Sequence, residues 1–571
     1  MTFPAPAATL CLLIGPLLVP AAESGAWSKR IGSLVREGKL EEATRLAQAA
    51  AREPGSTAAA YSWLGRISMA GARFEEASDH FGRARDLGAS VAEIADPWSR
   101  ALVRTGRRKE ACAVLGEAAA SEPGDATLRY LAGACYLRIG AHWEALPHLE
   151  AAYGAGVSHS AAALDLAEAR MDCGREDLAV EQLAEITEGT SDPGTLLAVG
   201  KMLFRNVLYR QALDPLEKAW KIRPGWYDAG MYLALARYQL EDYRNSAGVL
   251  GRLQAEPRPR EARLLLGSAL ARLGEDVAAR EELDAAVRMS PGRADGHLNL
   301  GLFLLDQGLR DEALEAFGHA AAGDAAGAKI FYNVKTRQNC RDLTPPTRSA
   351  KGDTGQARFL AAFGDQLLAG QQWGAALEVY LTALSIDPRL PGPLGGVGLI
   401  CQELGTAEVG LEFVRRGVEL HPSDRKLRYF QGSLYEYLSQ PEKAIQSYRI
   451  ALGLGNPSTV PVRYWLRLGL VQLAAGTESE AETSFMTALD REPEFPEGLY
   501  HLGKLRFREA RYAEAESLLE RAVRLDPSMD GAYYSWGLAC VRNGNGEKGR
   551  TILESHRRKA ALRQAQKGGM Q

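Results

Sequence analysis

A small residue returns every 33 or 34 positions through the first part of this chain, at Gly65, Ser99, Gly133, Ala167, Gly200, Ala234, Gly267 and Gly301. No other feature limits the fold so strongly. Twelve residues after these positions come Ala77, Ala111, Ala145, Ala179, Ala212, Ser246, Ala279 and Ala313. Four further on a large apolar residue follows, at Phe81, Leu115, Leu149, Leu183, Leu216, Leu250, Leu283 and Phe317. The stretch 297–317, HLNLGLFLLDQGLRDEALEAF, shows one unit: two apolar helical runs broken at Gly308. Gly301, Ala313 and Ala320 let two helices cross closely, and Leu300, Leu304 and Phe317 fill the space beside the crossing. A period of this size means a solenoid of helix hairpins, in which each unit buries its apolar faces against its neighbours. Pro123, Pro224 and Pro291 end their helices and fix the phase of the unit that follows.

The array opens with a shorter hairpin carried by Trp27, Ile31, Leu34 and Val35, then by Ala43, Ala47 and Ala50 up to Pro54. Phase is lost after residue 325, where the next anchor, Gly364, lies 63 residues beyond Gly301. Lys329 to Arg341 is expected to form an orphan helix closing the first array. Pro345, Pro346, Gly352 and Gly355 mark a linker or hinge over 343–356. A second array follows on Gly364, Gly398, Gly432, Gly469, Gly503 and Gly537, with an enlarged loop at 453–461 and a polar capping helix at the end. The expected organisation is an export signal or anchor at 1–24, a first array of about nine hairpins at 25–342, the linker, and a second array of about six at 357–571.

Composition excludes little, since 24% charged residues and a formal net charge of -3 give no general attraction to polyanions. The seven cysteines contain no C-x-x-C pair of the kind that suggests zinc or thiol redox chemistry, and most read as small core residues. Cys112 and Cys135 fall in adjacent helices of neighbouring repeats, where a disulfide in an oxidising compartment is the less favoured alternative, since spacing does not give their Cα separation. The apolar run from Ala7 to Val19 is short for a bilayer span and is followed by small residues, as in an export signal cleaved after Ala21. An uncleaved membrane anchor is the alternative.

The period, the Gly and Ala positions and the terminal prolines resemble the tetratricopeptide repeat, over roughly residues 26–325 and 357–556. The resemblance implies an all-α, right-handed superhelical solenoid of antiparallel hairpins in two arrays, whose first helices line concave grooves. It also implies which positions in each first helix meet a ligand. In the first array these fall on Arg66, Arg100, Arg104, Tyr130, Arg138, Lys201, Phe204, Arg205, Tyr238 and Arg272. In the second they fall on Lys426, Tyr429, Tyr437, Arg463, Tyr500, Lys504, Phe507, Arg508, Tyr534 and Arg542. Cations interspersed with aromatics suit an extended acidic peptide, the aromatics also a glycan polymer. The pattern of Lys, Asn and Arg in neighbouring first helices by which chaperone-binding relatives grip a terminal carboxylate is not found.

Signs of catalysis are missing from the sequence: no GxxxxGK[ST] loop, no HExxH and no GxSxG. His142, Glu144 and His148 do not share a helical face, so neither a metal nor another cofactor is expected. The expected function is a non-catalytic scaffold, exported to the periplasm or outside the cell, that binds partner-protein segments. Two alternatives are a part in polymer export or envelope assembly and the regulatory arm of an enzyme complex. Nucleic acid is not an expected partner, and the membrane is one only through an uncleaved N-terminus.

Overall fold

The computed structural model describes residues 26–53, 55–253, 259–324, 329–332, 340–346 and 354–568. The export signal expected at 1–24 lies outside them. Thirty α-helices follow one another in the described residues, and each odd-numbered helix packs antiparallel against the next. By contact the chain divides into two compact units, Met1–Thr190 and Ser191–Gln571. The first unit holds five hairpins, from α1 (Ala26–Arg36) to α10 (Glu176–Gly189), and the second holds ten, from α11 (Pro193–Arg205) to α30 (Gly546–Gly568).

The small anchors act sterically. A Cβ built on Gly301 in α17 (Ala294–Asp306) would lie 2.5 Å from the ring of Phe317 in α18 (Arg310–Ala322), sixteen residues on. The same clash at 2.5 Å arises between Gly364 and Tyr380 and between Gly469 and Phe485. Ala77, Ala111, Ala145, Ala179, Ala212, Ala279 and Ala313 are fully buried. Ser246 departs from alanine without penalty, because its buried hydroxyl donates to the Ala234 carbonyl at 2.8 Å.

The turn inside each hairpin requires a left-handed residue seven positions after the anchor. Glycine supplies it at 106, 140, 174, 274, 308, 405, 476 and 544, whereas Ala72, Val207, Glu241, Gln371, Ser439 and Ala510 adopt it with φ between 55° and 64°. A β-branched residue is the most strained of these, and Val207 is 64% exposed. Val207→Gly is therefore expected to stabilise the second unit by about 1 kcal/mol, read as a higher thermal midpoint; an unchanged or lower midpoint would mean the turn is not strained.

Two cysteine pairs are bonded. Cys112 in α6 (Arg108–Ser121) joins Cys135 in α7 (Ala126–Arg138) with Cα atoms 5.3 Å apart, linking adjacent hairpins. Cys340 joins Cys401 in α21 (Pro391–Glu403) at 5.7 Å, a pairing across 61 residues that the repeat pattern does not suggest. Cys173 and Cys540 are buried and take part in neither disulfide.

Residues 329–332 and 340–346, expected within or next to an orphan helix, are not helical. Of the expected linker, 343–346 is irregular, 347–353 lies outside the described residues, and Thr354 already opens α19 (Thr354–Ala369). The loop at 453–461 contains a short 3-10 turn and is held down by Arg425, whose Nη1 donates to Thr459 Oγ1 at 3.0 Å, and by Arg491, which donates to the Pro457 carbonyl at 2.9 Å. Among the described residues no helix is long and apolar enough to cross a membrane.

Candidate binding groove

In the first unit most candidate side chains are engaged by their neighbours. Arg66 is only 5% exposed and donates to the Glu93 carbonyl at 2.8 Å, so its head group joins adjacent hairpins rather than facing a ligand. Arg100 pairs with Asp96 one turn away at 2.9 Å, and Arg104 lies over the Phe74 ring. Tyr130 and Arg138 converge on Asp165, at 3.1 and 3.2 Å, in α9 (Ser160–Asp172) of the next hairpin. Burial and the adjacent carboxylate raise the Tyr130 phenol well above its ordinary pKa. Of the histidines considered as ligands, His142 pairs with Asp172 at 3.0 Å and His148 stacks on Tyr136.

The second unit holds the other candidates. Lys201 bonds Asp228 at 2.9 Å and lies over Tyr232, which also meets the edge of Phe204. Arg205 is exposed, and Arg272 lies over the Tyr243 ring. Farther along, Tyr429 stacks on Tyr464 with ring centroids 4.0 Å apart, and Lys426 lies 3.8 Å from Asp365. Lys504 lies over Tyr500, Phe507 packs on Tyr512, and Arg508 pairs with Glu478 at 3.1 Å. Tyr437 and Tyr534 are about half exposed, and Arg463 and Arg542 are exposed.

Tyr238 has a different role. Its hydroxyl donates at 3.2 Å to the carbonyl of Phe331, in the non-helical segment 329–332. That segment crosses the first helices α13 (Tyr227–Gln239), α15 (Arg260–Arg272) and α17. The buried amide of Asn299 reads its backbone at three points. Asn299 Nδ2 donates to the Lys329 carbonyl at 2.9 Å, and Oδ1 accepts from Phe331 N–H at 2.8 Å and from Tyr332 N–H at 2.9 Å. Tyr332 donates its hydroxyl to Asp306 at 2.8 Å and meets Phe303 edge-on, while Lys329 lies 3.9 Å from Glu261. Phe331 and Tyr332 are 6% and 1% exposed. Helix α17 is buried on nearly every side, Asn299 by this segment and Asp295 and His297 by Arg260, Arg293 and His319 of other elements.

Asn299 and Asp306 were not among the candidates. Asp306 stands five residues after its anchor, at the offset shared by Arg104, Arg138, Arg205 and Arg272. Asn299 stands two before, as do Arg467 and His501 in their repeats. His501 lies beside Tyr500, with ring centroids 4.7 Å apart. Burial, then the charges of Lys504 and Arg467, lower its pKa from 6.5 to about 4. The unfolded chain therefore binds this proton first on acidification, and stability is lost as the pH falls from about 6.5 towards 4. His501→Gln is expected to show a smaller fall in melting midpoint across that range than the wild type; parallel curves would refute the assignment.

A tetratricopeptide-repeat model matches residues 97–156, 233–294, 278–329, 429–496, 466–530 and 500–562, which together cover just over half of the chain. Tetratricopeptide repeat protein 8 of Caenorhabditis elegans is 24% identical over 237 residues, covering 34% of this chain and 47% of that protein. Cellulose synthase 2 operon protein C of Komagataeibacter xylinus is 25% identical over 293 residues, covering 47% of this chain and 22% of that protein. The chain thus spans less than half the length of either relative. Among solved structures, a chain of the Cut9–Hcn1 hetero-tetramer of the APC/C aligns over 90% of this chain and 96% of its own, at 14% identity and a TM-score of 0.32. The period, the steric anchors and the matched repeats agree: the chain belongs to the tetratricopeptide repeat family.

Proposed function

We propose that this protein is a non-catalytic scaffold whose first helices bind extended segments of partner proteins. The observation that carries this reading is the backbone recognition by Asn299, with Tyr238 and Asp306 beside it: groups on two first helices fit an extended chain and place its side chains in apolar surroundings. A preformed groove of this kind lowers the ordering cost of binding. Many cations suggested from the sequence are neutralised by nearby carboxylates, as at Arg100, Arg138, Lys201 and Arg508, which weakens the case for a strongly acidic ligand.

The test is photo-crosslinking from single positions. A crosslinker replacing Tyr437, Arg463 or Tyr534 on first helices is expected to capture partner protein, while one replacing the exposed Ile450 or Met486 on second helices captures none. The opposite pattern would overturn the reading.

The two disulfides favour an oxidising compartment and so support export. The mass of the mature N-terminus decides between cleavage after Ala21 and a retained anchor. A role in polymer export or envelope assembly draws support from the likeness to the cellulose synthase operon protein and from the aromatic faces of Tyr500, Phe507 and Tyr534. Binding of soluble cello-oligosaccharides that is lost on changing these three residues to alanine would favour it; no binding by the intact protein would exclude this glycan.

A further inference from the structure

Segment 329–332 makes ligand-like contacts, although it belongs to the chain that binds it. Its recognition is mostly through backbone: two N–H groups and two carbonyls are satisfied by Asn299 and Tyr238. Two consecutive aromatic side chains occupy the groove, and Tyr332 is fixed by Asp306. The segment is held on both flanks by contacts outside the groove. Upstream, Asp324 N–H donates to the Gly292 carbonyl at 2.8 Å and Ala294 N–H donates to the Asp324 carbonyl at 3.0 Å. Downstream, Cys340 is bonded to Cys401, and its N–H donates to Thr406 Oγ1 at 3.3 Å.

We infer that residues 329–332 are an internal ligand, a strap that occupies the groove of α13, α15 and α17 and is displaced by a partner segment of the same chemistry. That partner is an extended peptide with two consecutive aromatic residues, the first offering its backbone N–H and carbonyl, the second its N–H and a phenol. Asn299 and Tyr238 read its backbone, and Asp306 accepts from the phenol. Tethering at both ends gives the strap a high effective concentration, so an external peptide competes poorly until the strap is weakened. The partner's identity rests on the scaffold reading above, but occupancy of the groove by the strap does not.

The test uses the full chain and a fluorescent peptide reproducing residues 328–336. The double variant Phe331→Ala, Tyr332→Ala is expected to bind this probe at least about tenfold more tightly than the wild type, and adding Asn299→Ala is expected to remove the gain. Equal affinity of wild type and double variant, with helical circular dichroism preserved, overturns the inference. Should the double variant fail to fold, Tyr332→Phe reports on the same equilibrium by hydrogen exchange. Faster exchange of the Phe331 and Tyr332 amides, with the amides of α13 and α17 unchanged, supports a displaceable strap; strap and helix amides accelerating together shows a fixed part of the core and overturns it. Such a failure leaves the scaffold reading standing, because the crosslinking positions lie on other first helices.

Discussion

Asn299→Leu is expected to destabilise the seating of segment 329–332 by about 3 kcal/mol. Leucine has nearly the shape of asparagine, so the packing beside Phe303 is largely kept and the loss is one of hydrogen bonding. Two buried N–H groups, those of Phe331 and Tyr332, and the part-buried carbonyl of Lys329 lose their partner at once. An unmade hydrogen bond in a buried place costs about 1–3 kcal/mol, whereas a made one contributes only about 1. The chain has two ways to respond. If the segment stays in place, the second unit melts earlier; if it lifts away to find water, its amides exchange freely while the helices keep their protection. Either result is read by following hydrogen exchange through a thermal ramp. Unchanged midpoint together with unchanged exchange at residues 331 and 332 would show that the Asn299 amide is not what holds the segment.

How far the sequence reveals this molecule depends on what kind of physics sets each feature. The hairpin register is legible because it is steric and periodic: a small anchor and a large residue sixteen positions later recur whatever the ligand, as Gly301 with Phe317 and Gly469 with Phe485 illustrate. The groove is less legible because it depends on depth and direction. Arg66 occupies a surface offset in the repeat, but its long side chain turns inward to the Glu93 carbonyl, which spacing cannot show. Asn299 had one visible sign, an amide within the apolar run 298–305. Its partner segment, however, lies in the stretch where the period fails, and pattern reading has nothing to say there. The offset two residues before the anchor carries Asn299, Arg467 and His501, all in contact with a neighbouring element, so this position contributes to recognition and packing more than the chosen offsets suggested. The Cys340–Cys401 bond was invisible for the same reason as the strap, since pairing across 61 residues depends on where an aperiodic segment returns to the array.

Gly301→Leu tests the steric register itself. Because even the first added carbon would sit 2.5 Å from the Phe317 ring, the substitution cannot be absorbed by a rotamer change of leucine alone. Either Phe317, which is fully buried, must leave its well, or α17 and α18 must separate. Overpacking of this kind costs about 1–3 kcal/mol. In a stack where each hairpin is stabilised by its neighbours, a weakened pair also lowers the stability of the two interfaces beside it, so the loss is expected to spread to adjacent hairpins and fade with distance. The expected result is a lower melting transition for the second unit with the first unit's transition unmoved. Gly308→Ala, at the positive-φ turn seven residues on, provides a contrast: nothing lies within 4 Å of its added Cβ, so its cost is conformational strain without a clash. Pairing Gly301→Leu with Phe317→Ala should recover part of the loss, because the ring that obstructs the leucine is gone; a double variant no more stable than the sum of the two single changes would place the clash elsewhere and break the proposed pairing of anchor and large residue.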